Sequence, residues 1–193
     1  MTTITHSPDR TRRACGFTLV EVMISATLAG FLLVAVLTSF LFLGRTGANM
    51  QNYTEMEVQA RRAIETFAED VRMAKDATWN SPTSLTLTVV TSSGATATYT
   101  YAYSSTTAKL TRQSAATTTT LVSGITSFSF TAYKINTNQI TLTTDSAVLA
   151  AASKDTKQVQ ISLRAIRSTR TVTDATNSVI SARFILRNKT ITA

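Results

Sequence analysis

At 193 residues the chain has room for one folded domain with a real core beside a membrane segment, and its formal charge of +8 makes it basic. The single cysteine, Cys15, and the single histidine, His6, both lie near the start. A chain trimmed behind them holds no disulfide, thiol nucleophile, histidine-dependent triad or His/Cys zinc site, so no catalytic residue, metal or cofactor is expected.

Residues 1–16 are polar and basic, with Arg10, Arg12 and Arg13 against Asp9, and Pro8 argues against a long helix there. Residues 17–43 form an apolar run in which Glu21 is the only ionisable side chain. At about 1.5 Å per residue a helix of that length more than crosses a hydrocarbon layer, which needs roughly 20 residues. A carboxylate in lipid is destabilising by on the order of 2.5–3.5 kcal/mol, so Glu21 asks for a partner. A cut between Gly16 and Phe17 would supply one, because the new amine of Phe17 lies at i, i+4 from Glu21 on the same chain or belongs to a neighbour. A secretory signal does not fit. Its apolar region is shorter and ends at a small-residue cleavage site, whereas here the far side reads Gly44-Arg45-Thr46-Gly47. A lipidated cysteine would follow the apolar run, and Cys15 precedes it. A plain signal anchor with an incidental glutamate remains the alternative. Positive charge ahead of the run, with only Arg45 close behind it, places the N-terminus in the cytoplasm and the body outside.

Gly16-Phe17-Thr18-Leu19-Val20-Glu21, behind a basic leader and ahead of an apolar helix, resembles the processing motif of type IV pilins and pseudopilins. The resemblance implies that a prepilin peptidase cuts after Gly16 and methylates the amine of Phe17. It also implies that Glu21 guides docking into a helical filament of other pilins or pseudopilins, raised on an inner-membrane assembly platform. The expected division is a leader at 1–16, a transmembrane and filament-core helix at 17–48 and an exported globular domain at 49–193. The expected location is the cytoplasmic membrane, crossed once, and then a pilus or pseudopilus.

Within the apolar run, Ser25, Ala26, Ala29 and Gly30 either permit close helix packing or are simply tolerated. Gly44 and Gly47 predict a bend or a weakened stretch of helix. Thr38 stands where major pilins often carry a proline, which by resemblance leans away from a major pilin. Over residues 49–77 Tyr53, Met56, Ala60, Ala63, Ile64, Phe67, Val71 and Ala74 recur at helical spacing, with Glu57/Arg61, Arg61/Glu65 and Arg72/Asp76 as i, i+4 pairs. Residues 78–83, with Pro82, predict the turn that ends the helix.

The period then becomes two. Leu85, Leu87 and Val89, then Tyr99, Tyr101 and Tyr103, predict two strands joined through Ser92-Ser93-Gly94. Residues 109–113 and 118–122 predict a further hairpin. Phe128, Phe130 and Ala132 mark a strand, and Ile140 and Leu142 a shorter one. Val159, Ile161, Leu163 and Ala165 mark another, as do Ile180, Ala182, Phe184 and Leu186. Residues 145–155 and 168–178 read as loops. The expected fold is α+β: a long N-terminal helix whose amphipathic half packs on one antiparallel, threonine-rich sheet.

Residues 61–74 and 121–130 resemble, more loosely, segments of PilW-like minor pilins and J-type pseudopilins of type II secretion. This implies a structural minor component rather than an enzyme. Arg164, Arg167, Arg170, Arg183, Arg187 and Lys189 make the C-terminal region basic, and Arg183 and Arg187 would share a strand face opposite Phe184. That face is either solvated or a contact for a pilin or for DNA, so a tip subunit touching nucleic acid or a surface is the second reading. The tyrosine alternation is either a packed sheet face or a binding stripe, and the spacing of Asp145 and Asp155 matches no calcium loop.

Overall fold

A computed structural model of the chain describes residues 16–91, 94–115, 117–166 and 177–190. The leader with Cys15 and its arginines, the turn residues Ser92 and Ser93, and Arg167 and Arg170 lie outside the described residues, as does the expected loop up to residue 176. The described chain is an α+β fold with two helices and two antiparallel sheets. It divides into two compact units between Gly44 and Arg45.

The first unit holds the start of α1 (Leu19–Met73), where every described residue is exposed and the apolar run forms helix long enough to cross a membrane. Helix α1 continues through Gly44 and Gly47 without interruption. Each glycine costs about 1 kcal/mol relative to alanine, too little to end a helix whose flanking residues keep their hydrogen bonds.

In the second unit α1 buries Met56, Ala60, Ala63, Phe67 and Val71, the stripe expected from helical spacing. The helix stops at Met73, earlier than expected, and β1 (Ala74–Ser81) takes over. Ala74, Ala77 and Trp79 are buried in that strand, so Ala74, expected on the helix stripe, serves a sheet instead, and the turn expected over 78–83 is strand as far as Ser81. Arg72 and Asp76 therefore do not share a helix, whereas Glu57 and Arg61 do pair, at 2.9 Å. The open carbonyls of Arg72 and Met73 accept weakly from the Asn188 amide at 3.5 and 3.4 Å.

The first sheet runs in chain order: β1, β2 (Ser84–Val90), β3 (Thr96–Ser104), β4 (Lys109–Ser114) and β5 (Thr117–Ser123). Leu85, Leu87 and Val89 alternate inward along β2. On the other face Thr86 and Thr100 join hydroxyls across β2 and β3 at 2.9 Å. The second sheet has the order β7 (Gln139–Ile140), β6 (Ile125–Tyr133), β8 (Gln158–Ile166), β9 (Asn177–Ile185). One sheet was expected; the chain makes two, and Gly124, at φ +75°, stands at the junction between β5 of the first and β6 of the second. The expected loop at 145–155 is helix α2 (Ser146–Asp155). Alanine favours helix, Asp145 caps its first turn by accepting from Ala147 N–H at 2.9 Å, and Leu149 and Ala152 are buried.

Phe67 ties the layers together. Its ring centroid lies 5.0 Å from Tyr101 in the first sheet, and 5.9 and 5.8 Å from Phe130 and Phe184 in the second. Trp79 of β1 meets Phe130 at 5.8 Å, and its indole N–H donates to Thr156 Oγ1 at 2.9 Å. The core therefore lies where the amphipathic half of α1 meets both sheets.

Candidate functional site

Gly16, Phe17 and Thr18 precede the helix in non-helical backbone; Gly16 has open space around it and Phe17 is 85% exposed. Among the described residues nothing covers the bond between Gly16 and Phe17. Thr18 and Glu21 form a reciprocal cap. Thr18 N–H and Thr18 Oγ1–H both donate to Glu21 Oε2 at 3.1 Å, and Glu21 N–H donates to Thr18 Oγ1 at 3.3 Å. Two backbone donors at the helix start are satisfied, and the carboxylate sits where the helix dipole favours negative charge. It is thereby held within one turn of the position an amine on Phe17 would occupy. Reading the sequence for a carboxylate's partner missed this cap, although Thr18 followed three residues later by Glu21 is its signature.

Arg183 and Arg187, the residues expected to face solvent or a partner, are both exposed. Arg183 lies on the exposed face of β9, its guanidinium 3.7 Å over the Tyr133 ring, and donates to Gln160 Oε1 through Nε at 3.3 Å and Nη2 at 3.1 Å. Arg187 lies two residues beyond the end of β9 and is likewise exposed. Lys189, counted among the basic residues of the C-terminal region, turns inward. It is 5% exposed, with its ammonium 3.1 Å from Asp76 Oδ1 and donating to the backbone oxygen of Ser153. It ties the end of the chain to β1 and α2, and it takes the Asp76 carboxylate expected to pair with Arg72.

A second buried polar group went unread. Asp70 falls on the apolar stripe of α1, three residues after Phe67, where an acid needs partners. Arg112 of β4 supplies a two-pronged ion pair, Nε to Oδ2 at 2.7 Å and Nη2 to Oδ1 at 3.1 Å, and Tyr101 O–H donates to Oδ2 at 2.6 Å. Burial first, then the hydrogen bond and charge of Asp70, push the Tyr101 phenol far above its ordinary value. The hydrogen bond to Asp70 likewise holds Arg112 protonated, against the effect of burial. The group presents matched, satisfied charges and no free nucleophile. Its arrangement fastens helix to sheet. Of the three tyrosines, Tyr101 is fully buried and Tyr99 and Tyr103 are half-buried, so the alternation packs a sheet. Among the described residues no group of three acid, histidine or cysteine side chains is placed to hold a metal ion.

Residues 11–37 match the family model of the prokaryotic N-terminal methylation motif, a match that takes in Gly16, Phe17 and Glu21. The motif supports a type IV pilin-like protein. In such a pilin-like chain it implies processing by prepilin peptidase and assembly with other pilins, and it points to a structural protein. The exposed apolar helix behind it is consistent with a single-pass membrane anchor. No curated protein matches the chain.

Proposed function

We propose that the chain is a minor pilin or pseudopilin, of the PilW-like or J-type kind, made as a precursor and processed between Gly16 and Phe17. Its N-terminus lies in the cytoplasm, residues 17–48 anchor it in the inner membrane, and residues 49–193 are exported. Prepilin peptidase removes residues 1–16 and methylates Phe17, and the assembly platform then raises the subunit into a pilus or pseudopilus. The observation that carries this reading is the methylation motif on residues 11–37, with a lone carboxylate held at the start of an exposed apolar helix. Burial of helix against like helices supplies the packing, and the pairing of Glu21 with an amine supplies the register. Contact with DNA through Arg183 and Arg187 is the second reading and has less support, because the matched motif speaks for assembly with other pilins and no match speaks for nucleic acid.

Mass spectrometry of the membrane-resident form should show a chain that begins at methylated Phe17. Glu21→Ala should be cleaved normally yet be depleted from sheared filaments by tenfold or so, the weight of about 1.4 kcal/mol. A membrane form that starts upstream of Gly16 would overturn the processing step, and a Glu21→Ala subunit found in filaments at the wild-type level would overturn the docking role.

A further inference from the structure

The second sheet ends on one side in β9, and among the described residues no strand pairs with its outer edge. Leu186 N–H bonds Lys157 O at 2.9 Å, in the register that sets Gln158 opposite Ile185. By alternation, Val179, Ser181, Arg183 and Ile185 turn their N–H and C=O groups away from β8, toward the open side. The other sheet ends are blunted. β1 carries two register shifts, its Trp79 N–H is taken by Ser153 Oγ at 2.8 Å, and its Ala77 carbonyl accepts from Lys189. β7 is two residues long, and β5 pairs with β4 across a register shift. The nine residues of β9 run against β8 without a shift and without a proline. Such an edge templates another strand.

Two further observations describe what would sit there. Ile180, Ala182 and Phe184 face the core yet are only half-buried, whereas their partners Leu163, Ile161 and Val159 on β8 are buried. Beside them lies an open groove of about 520 Å³ between β9 and α1, lined by Tyr53, Ile64, Val179 and Ile180 and rimmed on the helix side by Glu57, Arg61 and Glu65, so that apolar side chains rather than acids suit it. A strand added to the edge would turn every second side chain into this groove and complete the burial. Its remaining side chains would lie on the outer face, where β9 carries Arg183 and, among the described residues, the strands of the second sheet carry no acid. Among the described residues no carboxylate pairs with Arg183, and its contacts to Gln160 leave other guanidinium protons to donate.

We propose that the edge of β9 is a strand-addition site for an extended protein segment that alternates apolar residues with acids, the apolar ones entering the α1–β9 groove and an acid facing Arg183. Backbone pairing gives affinity and the alternation gives specificity. The edge takes such a segment whether or not the chain enters a filament. A second copy of this basic chain is disfavoured, since its own β9 would bring another arginine and no acid.

The test uses the full chain in neutral detergent and a labelled peptide of about nine residues, one strand's length, that alternates valine with glutamate. The peptide should bind. Its lysine counterpart should bind at least about fivefold more weakly, from the cross-strand charge pair. The glutamate peptide methylated on alternate backbone nitrogens should not bind. Ser181→Pro, which removes an outward N–H while leaving the β8 ladder intact, should abolish binding with the melting curve unchanged, and Arg183→Glu should reverse the order of the two charged peptides. If Ser181→Pro fails to fold, the methylated peptide answers the same question. Equal binding of both charged peptides, or undiminished binding by the methylated one, overturns the proposal. So does a duplex oligonucleotide that binds where the peptide does not, or self-association through this edge without peptide binding.

Discussion

Asp70, Tyr101 and Arg112 show what a single polar residue on an apolar stripe demands. The carboxylate is buried, and three hydrogen bonds from two strands answer its two oxygens. Tyr101 is wholly buried and its phenol is pushed up, so the folded chain keeps a proton that the unfolded chain gives up. Below the ordinary tyrosine value, about 10, both states hold that proton and this group adds no pH dependence to stability. Above it the unfolded state ionises first, it binds fewer protons, and stability falls by up to about 1.4 kcal/mol for each further pH unit. Thermal melts of the full chain in detergent should show a midpoint that drops above about pH 10. Tyr101→Phe should begin about 1 kcal/mol less stable and lose this component of the slope. An unchanged slope in that variant would assign the alkaline loss to other groups. The acid itself was legible from its position in the helical period, but its partners were not, because Arg112 is distant in sequence and only the β3–β4 pairing aligns it with Tyr101.

At the scale of elements, periodicity found the strands and missed where one element gives way to the next. Ala74 and Ala77 fit a helical stripe and an inward strand face equally well, and only the pairing of Ala77 with Leu87 decides between them. Residues 145–155 read as a loop because alanine and serine lack an apolar period, yet an aspartate before an alanine run is a helix start. The capping hydrogen bond makes a measurable difference: Asp145→Ala should destabilise the fold by about 1 kcal/mol, whereas Asp145→Ser should be close to neutral. Chemical denaturation of the two variants side by side checks this. Equal loss in both would mean that the side-chain charge, rather than the cap, is what α2 uses.

At the scale of the chain, the passage from the first sheet to the second runs through Gly124. Gly124 stands between β5 and β6 with its neighbours committed to different places. Ile125 N–H bonds Ala108 O in the first sheet's β3–β4 turn at 3.0 Å, and Gly124 O accepts from Ile166 N–H at the end of β8 at 2.8 Å. The sequence showed a glycine in a threonine-rich stretch and nothing of this double constraint, which arises only once β8 has returned to lie beside β6. A side chain at 124 would meet two obstacles: φ is +75°, and a Cβ would fall 2.4 Å from the Ile166 carbonyl oxygen, which is backbone and cannot swing aside. Gly94, at φ +79° in the β2–β3 turn, shares the first obstacle and has open space in place of the second. Gly94→Ala should therefore destabilise by about 1 kcal/mol, the conformational part alone. Gly124→Ala should destabilise by about 3 kcal/mol, because the strands must separate where β6 and β8 meet. Denaturant midpoints for the pair give the difference directly. If the two substitutions were equal in effect, the close approach at Ile166 would carry no weight and the seam between the sheets would be set by the turn geometry alone.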